Sequence, residues 1–207
     1  MGMKRVFFYL GLAVLVVVVG FALRFYITPP GAPLPAGGPA ARATPPPVRG
    51  PFSLINQHSE KVTEANFKGR HMLIFFGYTF CPDICPTVLT SVSQALEQLG
   101  PQAEKVQPLF VTVDPLRDTP AQLKMYLDHF DQRIMGLTGT AQQVERAKSA
   151  YKVYATKVDQ SSDDPEDYLM NHASTLYLMG PEGKFEAFFG HTAEPQEIAK
   201  RIKEFLR

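Results

Sequence analysis

Residues 75–86 have the sequence FFGYTFCPDICP, which contains both cysteines of the chain, Cys81 and Cys85. The apolar run Met72 to Phe76 leads into this stretch and is typical of a buried strand. The run Val88 to Leu99 follows it and has the apolar spacing of a helix. The sequence therefore predicts that both thiols lie at a strand-to-helix junction, where unpaired N–H groups and the helix dipole stabilise a thiolate.

The spacing of the two cysteines, Cys-x-x-x-Cys, puts both sulfurs on one face of a regular helix. Pro86 disfavours helical geometry at Cys85 and suits the first position of a helix. We therefore expect the helix to begin at Pro86 and Cys81 to lie on the preceding turn. The thiols are then still close enough for a disulfide or a shared metal ion. The alternative is a buried, inert pair or a structural disulfide, although cross-linking so short a loop stabilises little.

The composition limits the classes of function. The chain has 207 residues, enough for one domain with a sizeable core and an appendage. Its 21 basic and 20 acidic residues give a net charge of +1, and no basic stripe carries interleaved aromatic residues. This composition argues against a nucleic-acid partner. Two cysteines within one motif indicate a site rather than a disulfide scaffold.

The amino-terminal segment has the features of a membrane anchor. Lys4 and Arg5 precede an uncharged apolar run of 18 residues, Val6 to Leu23, which is near the minimum length that spans a bilayer. The positive charges favour an amino terminus in the cytoplasm. A cleaved signal peptide is the alternative, but the run is longer than a usual signal core and no cleavage motif follows directly. We predict an uncleaved single-span anchor over residues 1–27, with residues 6–27 in contact with the membrane.

Residues 28–48 are rich in Pro, Gly and Ala and contain almost no core-forming residues. This composition is typical of a semi-extended tether. Such a tether suits a protein that acts on a partner in the same membrane, although a simple spacer has the same composition. The folded domain is therefore expected over residues 49–207.

The folded domain shows the alternation of strands and helices that builds an α/β sheet. Two short β-prone segments around a polar turn, Asn56 to Glu60, predict an amino-terminal β-hairpin. Parallel strands with crossover helices place sites at the carboxyl ends of the strands, where the cysteine loop and the loop beginning at Asp114 both lie. The predicted strands are 51–55, 61–63, 72–76, 106–113, 173–179 and 184–189, with a short apolar segment at 134–138 and an apolar, β-prone segment at 151–158. The predicted helices are 86–99, about 120–130, 141–151 and one from about 195, and capping boxes pair Thr119 with Gln122 and Thr140 with Gln143.

The chain has five histidines, and one of them stands in an unusual place. His172 lies between a polar acidic loop, residues 160–167, and a predicted strand, so it can enter the sheet beside the cysteine loop. If it reaches Cys81 and Cys85, the donors are two thiolates and one imidazole. Soft sulfur donors favour Cu(I), imidazole suits both copper states, and three ligands underfill a structural zinc site. The remaining histidines have positions that fit surface or capping roles: His58, His71, His129 and His191.

Asp114, Arg117 and Asp118 form a charged loop after the strand that ends near residue 113. One interpretation is a helix-capping turn with a local ion pair. The other is a loop at the rim of the thiol site that shapes the site or docks a partner. Asp83, between the two cysteines, is either a solvated turn residue or a weak oxygen contact to a metal.

Four blocks of the chain resemble the Sco/SenC family of membrane-anchored copper-binding proteins. They are FGYTFCPDICP at 76–86, TVDPLRDTP at 112–120, GLTGT at 136–140 and YLMNHAS at 168–174. Four separate blocks in the right order are far more specific than a lone Cys-x-x-x-Cys. The resemblance covers the chain from about Gly50 to its end.

The resemblance implies a thioredoxin-like fold and copper, as Cu(I), Cu(II) or both, bound by Cys81, Cys85 and His172. It also implies a metallochaperone that helps assemble the copper centre of cytochrome c oxidase by delivering copper, by reducing target cysteines, or both. The implied partners are the copper-accepting oxidase subunit and other copper chaperones or thiol reductants. Together with the anchor, it implies a single-pass protein of the bacterial inner membrane with its soluble domain in the periplasm. Asn171 stands where the resemblance leads us to expect an aspartate before the histidine. That aspartate orients the imidazole without binding the metal itself.

Two other functions stay open on the sequence. A metal-independent thiol-disulfide oxidoreductase or peroxidase-like enzyme would use Cys81 and Cys85 alone, and Thr79, two residues before Cys81, gives it weak further support. The cysteine spacing is one residue longer than the Cys-x-x-Cys of thioredoxins, and no proline stands near His172. Both features argue against a general disulfide reductase. A redox or copper sensor is the third candidate, but the chain shows no obvious output domain.

Overall fold

The computed structural model describes residues 15–16, 18–19, 48, 50–159, 164 and 167–206. The chain divides into two units, residues 1–45 and residues 46–207, and the second unit holds every element named below. Most of the predicted anchor and tether lies outside the described residues, so both stay predictions. Within the described ranges, no helix combines the length and the apolar character that a membrane crossing requires.

The folded unit alternates strands and helices along the chain. The strands are β1 Ser53–Asn56, β2 Lys61–Thr63, β3 His71–Gly77, β4 Val106–Thr112, β5 Met135–Thr138, β6 Ala155–Asp159, β7 Tyr168–His172, β8 Leu176–Met179 and β9 Phe185–Phe189. The α-helices are α1 Ile84–Leu99, α2 Pro120–Leu127, α3 Ala141–Ala150 and α4 Pro195–Phe205. Short 3₁₀ helices cover Glu64–Phe67 and Gly100–Lys105. The α/β class is therefore confirmed.

The main sheet has the strand order β2-β1-β5-β4-β3-β8-β9. Its centre, β3, β4 and β5, is parallel, and the outer pairings are antiparallel, including the predicted amino-terminal hairpin of β1 and β2. Every residue of β3 and β4 is buried, as expected for parallel strands covered on both faces. Gly77 lies opposite Thr112 at their carboxyl ends. The loop after β3 and the loop after β4 therefore stand side by side.

Helix α1 follows the cysteine loop and packs against α4 on one side of the sheet. The predicted apolar stripe is buried, and it places the first turn of α1 over the end of β3. The helix begins at Ile84, whereas we had expected it to begin at Pro86. Pro86 is the third helical residue, where a backbone N–H has no intrahelical partner, so the proline ring removes no hydrogen bond there.

Two details of the helices after β4 and β5 differ from prediction. Helix α2 ends at Leu127 instead of continuing to residue 130. The Thr119 hydroxyl accepts the predicted hydrogen bond from the Gln122 N–H, at 3.2 Å, but the Gln122 side chain donates to the Thr79 hydroxyl instead of closing a capping box. The capping box of Thr140 with Gln143 is confirmed and begins α3.

A small hairpin of β6 and β7 is the largest difference from the sequence prediction. The sequence indicated no strand immediately before His172, and it began the following strand at residue 173. In the structure His172 ends β7 and lies opposite Ala155 of β6, while β8 begins only at Leu176. Strands β6 and β7 form a separate two-stranded sheet. The histidine is therefore carried by a strand outside the main sheet.

Candidate metal centre

The two thiols lie where β3 turns into α1. Cys81 is on the turn, with its N–H donating to the Tyr78 carbonyl at 3.3 Å, and Cys85 is in the first turn of the helix. The Cys85 N–H points to the Cys81 sulfur at 3.4 Å. Cys85 is fully buried, Cys81 is partly exposed, and both are free thiols. The junction therefore presents one accessible sulfur backed by one buried sulfur.

The two thiols differ sharply in acidity. A hydrogen bond from the Cys85 thiol lowers the pKa of Cys81 to about 3, and it outweighs the opposing effect of burial. The same hydrogen bond, together with burial, raises the pKa of Cys85 far above its usual range. At neutral pH the two cysteines therefore hold one proton between them. This proton is on Cys85, and Cys81 is the thiolate.

The third potential ligand is His172. Its Nε2 lies 3.7 Å from the Cys85 sulfur, and its Nδ1 lies 3.1 Å from the Ala173 carbonyl oxygen. A carbonyl only accepts hydrogen bonds, so Nδ1 carries a proton, and Nε2 is the ring nitrogen that faces the sulfurs. The rings of Tyr78 and Phe75 pack edge-on against the imidazole, with centroids 5.7 Å and 6.3 Å away. These contacts fix the plane of the ring.

The spacing of the three ligand atoms fits a shared metal ion. The atoms of Cys81, Cys85 and His172 all lie within 4.8 Å of one another. Two donors that each bind one ion at about 2.0–2.3 Å lie at most about 4.6 Å apart. The Cys85–His172 distance already meets this limit. Two soft sulfurs and one imidazole suit copper, and an open cavity of about 240 Å³ borders Cys81 and His172.

Asp118 lies beneath the cysteine loop rather than at its rim. Its buried carboxylate accepts hydrogen bonds from the Thr79 N–H at 3.1 Å, the Thr79 hydroxyl at 2.7 Å and the Thr112 hydroxyl at 2.6 Å. Burial raises the pKa of Asp118 to about 6 although these hydrogen bonds lower it. The residue therefore ties the loop after β3 to the end of β4.

Asp114 and Arg117 form more than a local capping pair. The Arg117 Nε donates to Asp114 Oδ2 at 2.6 Å, and the Tyr168 hydroxyl donates to Asp114 Oδ1 at 2.9 Å. Arg117 also donates to the Tyr168 carbonyl at 3.0 Å and stacks on the Tyr168 ring at 3.6 Å. The loop after β4 therefore contacts the strand that carries His172.

Asp83 and Asn171 occupy the outer rim of the centre. Both are exposed and border the cavity beside Cys81. Asp83 is the residue before α1, and its carbonyl accepts a hydrogen bond from the Thr87 hydroxyl at 2.9 Å. The group that fixes the imidazole tautomer is the Ala173 carbonyl, so the departure at residue 171 leaves that contact intact.

The sequence reasoning missed the aromatic contacts of the centre. Tyr78 and Phe75 pack on the imidazole, and Tyr168 connects Asp114 to β7. Tyr168 lies four residues before His172, so both side chains lie on one face of a strand. This spacing is the only signal for Tyr168 in the sequence. That signal is usable only once β7 is known to be a strand.

The chain is similar to known proteins of one family. The family model described as SCO1/SenC matches residues 40–207. An SCO2-like protein of Rickettsia felis is 40% identical over 156 residues, covering 75% of this chain and 76% of that protein. Protein sco1 of Schizosaccharomyces pombe is 38% identical over 161 residues, which are 77% of this chain but only 61% of the yeast protein.

Two solved structures are similar to the folded unit. ScoI of Bradyrhizobium japonicum, with copper bound, is 42% identical with a TM-score of 0.71, covering 76% of this chain and 99% of that one. BsSco, described as a member of the Sco family of cytochrome c oxidase assembly proteins with a disulfide switch, is 25% identical with a TM-score of 0.60 over 77% and 95%. The predicted Sco-type thioredoxin-like fold is confirmed.

The acidity of Cys81 gives a testable prediction. In reduced, metal-free protein, iodoacetamide modifies Cys81 at a rate that is nearly constant from about pH 5 to pH 8, because the thiolate is already fully formed. An ordinary cysteine thiol, with a pKa near 8.5, reacts about tenfold faster per pH unit in that range. Peptide mass spectrometry assigns the modified residue, and buried Cys85 stays unmodified.

The control is Cys85→Ala, which removes the hydrogen-bond donor and restores a pH-dependent rate at Cys81. A tenfold rise per pH unit in the unsubstituted protein contradicts the assignment of the thiolate to Cys81.

Proposed function

Because the chain belongs to the SCO1/SenC family, we propose that it binds copper through Cys81, Cys85 and His172 and helps assemble the copper centre of cytochrome c oxidase. The observation that carries the proposal is the convergence of three ligand atoms within 4.8 Å. The copper in the Bradyrhizobium japonicum structure and the description of BsSco as an oxidase assembly protein support it. Copper is the cargo of this protein, and its acceptor is the copper-binding subunit of the oxidase.

The two cysteines have separate tasks in loading. Cys81 is already a thiolate and partly exposed, so it meets an arriving copper ion first. Cys85 carries the proton of the pair, and this proton must leave when its sulfur binds metal. Copper loading therefore releases one thiol proton per site.

The arrangement also suits unloading. The cavity is open at Cys81, and the buried ligand Cys85 lies behind it. A thiolate of an acceptor protein therefore approaches copper from the Cys81 side and displaces this sulfur first. Other copper chaperones or thiol reductants reach the same exposed sulfur when they reload or reduce the protein.

Copper titration tests the ligand set. We expect His172→Ala to weaken Cu(II) binding by more than about 100-fold. Loss of a ligand lowers metal affinity more than loss of a residue that only orients a ligand, which typically lowers it about 10–100-fold. Cu(I) binding persists through the two thiolates. Competition titrations and the sulfur-to-copper absorption band measure both effects.

The matched control is His129→Ala, which removes an exposed histidine outside the centre. It leaves both affinities and the absorption band as they are. The ligand assignment is wrong if His172→Ala binds Cu(II) with the affinity and spectrum of the unsubstituted protein.

A second candidate, thiol-disulfide exchange without metal, rests on the unequal acidity of the cysteines. The Cys81 thiolate attacks a target disulfide and displaces one target thiolate. Cys85 then loses its proton and attacks the Cys81 sulfur, so the second target thiolate leaves. The products are a reduced target and a Cys81–Cys85 disulfide, which an external thiol reductant must reopen.

A copper-free reduction assay separates the two functions. If chaperoning is the main role, strictly copper-free protein that a dithiol reductase keeps reduced consumes a disulfide peptide no faster than the reductase does alone. Absorbance of the released thiols measures the rate, and Cys81→Ser is the inactive control. Sustained turnover after copper removal favours the metal-independent oxidoreductase.

We further propose that residues 6–27 anchor the protein in the bacterial inner membrane, with the soluble domain in the periplasm. The support is the uncharged run Val6 to Leu23 behind Lys4 and Arg5. Residues 28–48 then tether the domain close to the membrane, where the oxidase also resides.

The anchor predicts membrane-bound protein of full length. Mass spectrometry of the protein extracted from membranes should find residues of the 1–27 segment intact, and protease added to the periplasmic side should degrade the soluble domain. A shortened, freely soluble chain identifies a cleaved signal peptide instead, and protection from the protease contradicts the orientation.

A further inference from the structure

The hairpin of β6 and β7 carries His172 but is not hydrogen-bonded as a strand to the main sheet in the described part of the chain. Its backbone pairs within itself, from Ala155 opposite His172 to Asp159 opposite Tyr168. The position of the imidazole relative to the thiols therefore depends on side-chain contacts between this hairpin and its surroundings.

The most extensive of the described contacts converge on Tyr168, at the start of β7. Its hydroxyl donates to Asp114, its carbonyl accepts from Arg117, and its ring lies 3.6 Å from the centre of the guanidinium. The side chains of Arg117 and Asp114 are only 10% and 3% exposed. Tyr168 and His172 share one face of β7, because side chains of a strand repeat every second residue.

The same guanidinium also contacts the cysteine side of the centre. It lies 4.6 Å from the ring of Phe80, the residue before Cys81, and 5.8 Å from the ring of Tyr78. Tyr78 in turn packs edge-on against the imidazole of His172. Arg117 therefore touches both parts of the centre without belonging to its ligand set: the loop that carries the thiols and the strand that carries the imidazole.

We propose that Arg117, acting through Tyr168, is a positioning residue that sets the His172 imidazole against the two thiols and thereby determines how well the centre retains Cu(II) relative to Cu(I). The inference rests on the proposed copper-binding function. Two thiolates alone satisfy soft Cu(I), whereas Cu(II) depends on the imidazole as well. Displacement of the hairpin therefore weakens Cu(II) binding more than Cu(I) binding.

The geometry requires arginine rather than a positive charge alone. The guanidinium is planar, so it donates sideways to Asp114 and to the Tyr168 carbonyl while its face stacks on aromatic rings. The ammonium of a lysine keeps the charge but provides no flat face and no fork of donors. Arg117→Lys therefore separates positioning from electrostatics.

The experiment compares Arg117→Lys and Tyr168→Phe with the unsubstituted protein in parallel Cu(II) and Cu(I) competition titrations. We expect Arg117→Lys to weaken Cu(II) binding by about 10–100-fold, as for other residues that orient a metal ligand, while the Cu(I) affinity is unchanged. Tyr168→Phe removes one hydroxyl and keeps the ring, so its effect has the same sign and is smaller. The sulfur-to-copper absorption band of both variants shifts toward that of His172→Ala.

The matched control is Arg133→Lys, the same substitution in another Arg–Asp pair. Arg133 bonds Asp131 just before β5, at the opposite edge of the parallel sheet from the cysteine loop. This variant should bind both copper states as the unsubstituted protein does. Circular dichroism of the copper-free variants verifies folding, and Tyr168→Phe, the mildest change, carries the test if Arg117→Lys does not fold.

Two results overturn the inference. Either Arg117→Lys and Tyr168→Phe keep the Cu(II) affinity and the spectrum of the unsubstituted protein, or they weaken Cu(I) and Cu(II) equally, which shows a general structural role. In both cases His172→Ala still loses Cu(II) if the proposed function is right. Failure of His172→Ala to lose Cu(II) instead rejects the ligand set itself.

Discussion

Parallel pairing of the fully buried strands β3 and β4 is the constraint on which the site depends. The register sets Gly77 opposite Thr112, and the Val113 N–H donates to the Gly77 carbonyl at 2.8 Å. The loops after both strands must then emerge at one edge of the sheet. A side chain at residue 77 would collide with the Cys85 sulfur, since a Cβ there would lie 2.7 Å from it. The pairing of β3 and the position of the Cys85 thiol therefore both depend on glycine at residue 77.

The hydrogen bond between the two thiols, together with the deeper burial of Cys85, makes them unequal in acidity. Cys85 lies in the core and keeps its proton, while Cys81 lies at the surface of the same junction and gives its proton up. A symmetric pair would either hold two protons and bind metal slowly, or expose two thiolates that oxidise readily. The unequal pair provides one thiolate that can bind metal at once and one thiol that must first lose its proton. This arrangement suits both copper transfer and a single round of disulfide exchange.

The sequence predicted most of what local patterns determine. The apolar run into the cysteine loop, the helix stripe behind it and the capping box at Thr140 all appear in the structure. Strand β7 was missed because a two-stranded hairpin is marginal on its own and owes its stability to docking, which leaves little periodic signal. The contacts of Arg117 and Gln122 were missed for a related reason. Sequence indicates which groups can donate hydrogen bonds, but Tyr168 lies 51 residues from Arg117, and Thr79 lies 43 residues from Gln122.

The way in which His172 is attached suits the copper transfer that we propose. Backbone pairing of β7 with the main sheet would fix the imidazole by a row of hydrogen bonds and tie its movement to opening the core. Instead, the described contacts are a hydrogen bond from the Tyr168 hydroxyl to Asp114, a hydrogen bond from Arg117 to the Tyr168 carbonyl, and stacking of the guanidinium on the Tyr168 ring. Each such hydrogen bond contributes about 1 kcal/mol, and a tenfold change in affinity corresponds to about 1.4 kcal/mol. Loosening one or two of these contacts is therefore enough to change copper affinity by an order of magnitude while the parallel sheet stays intact.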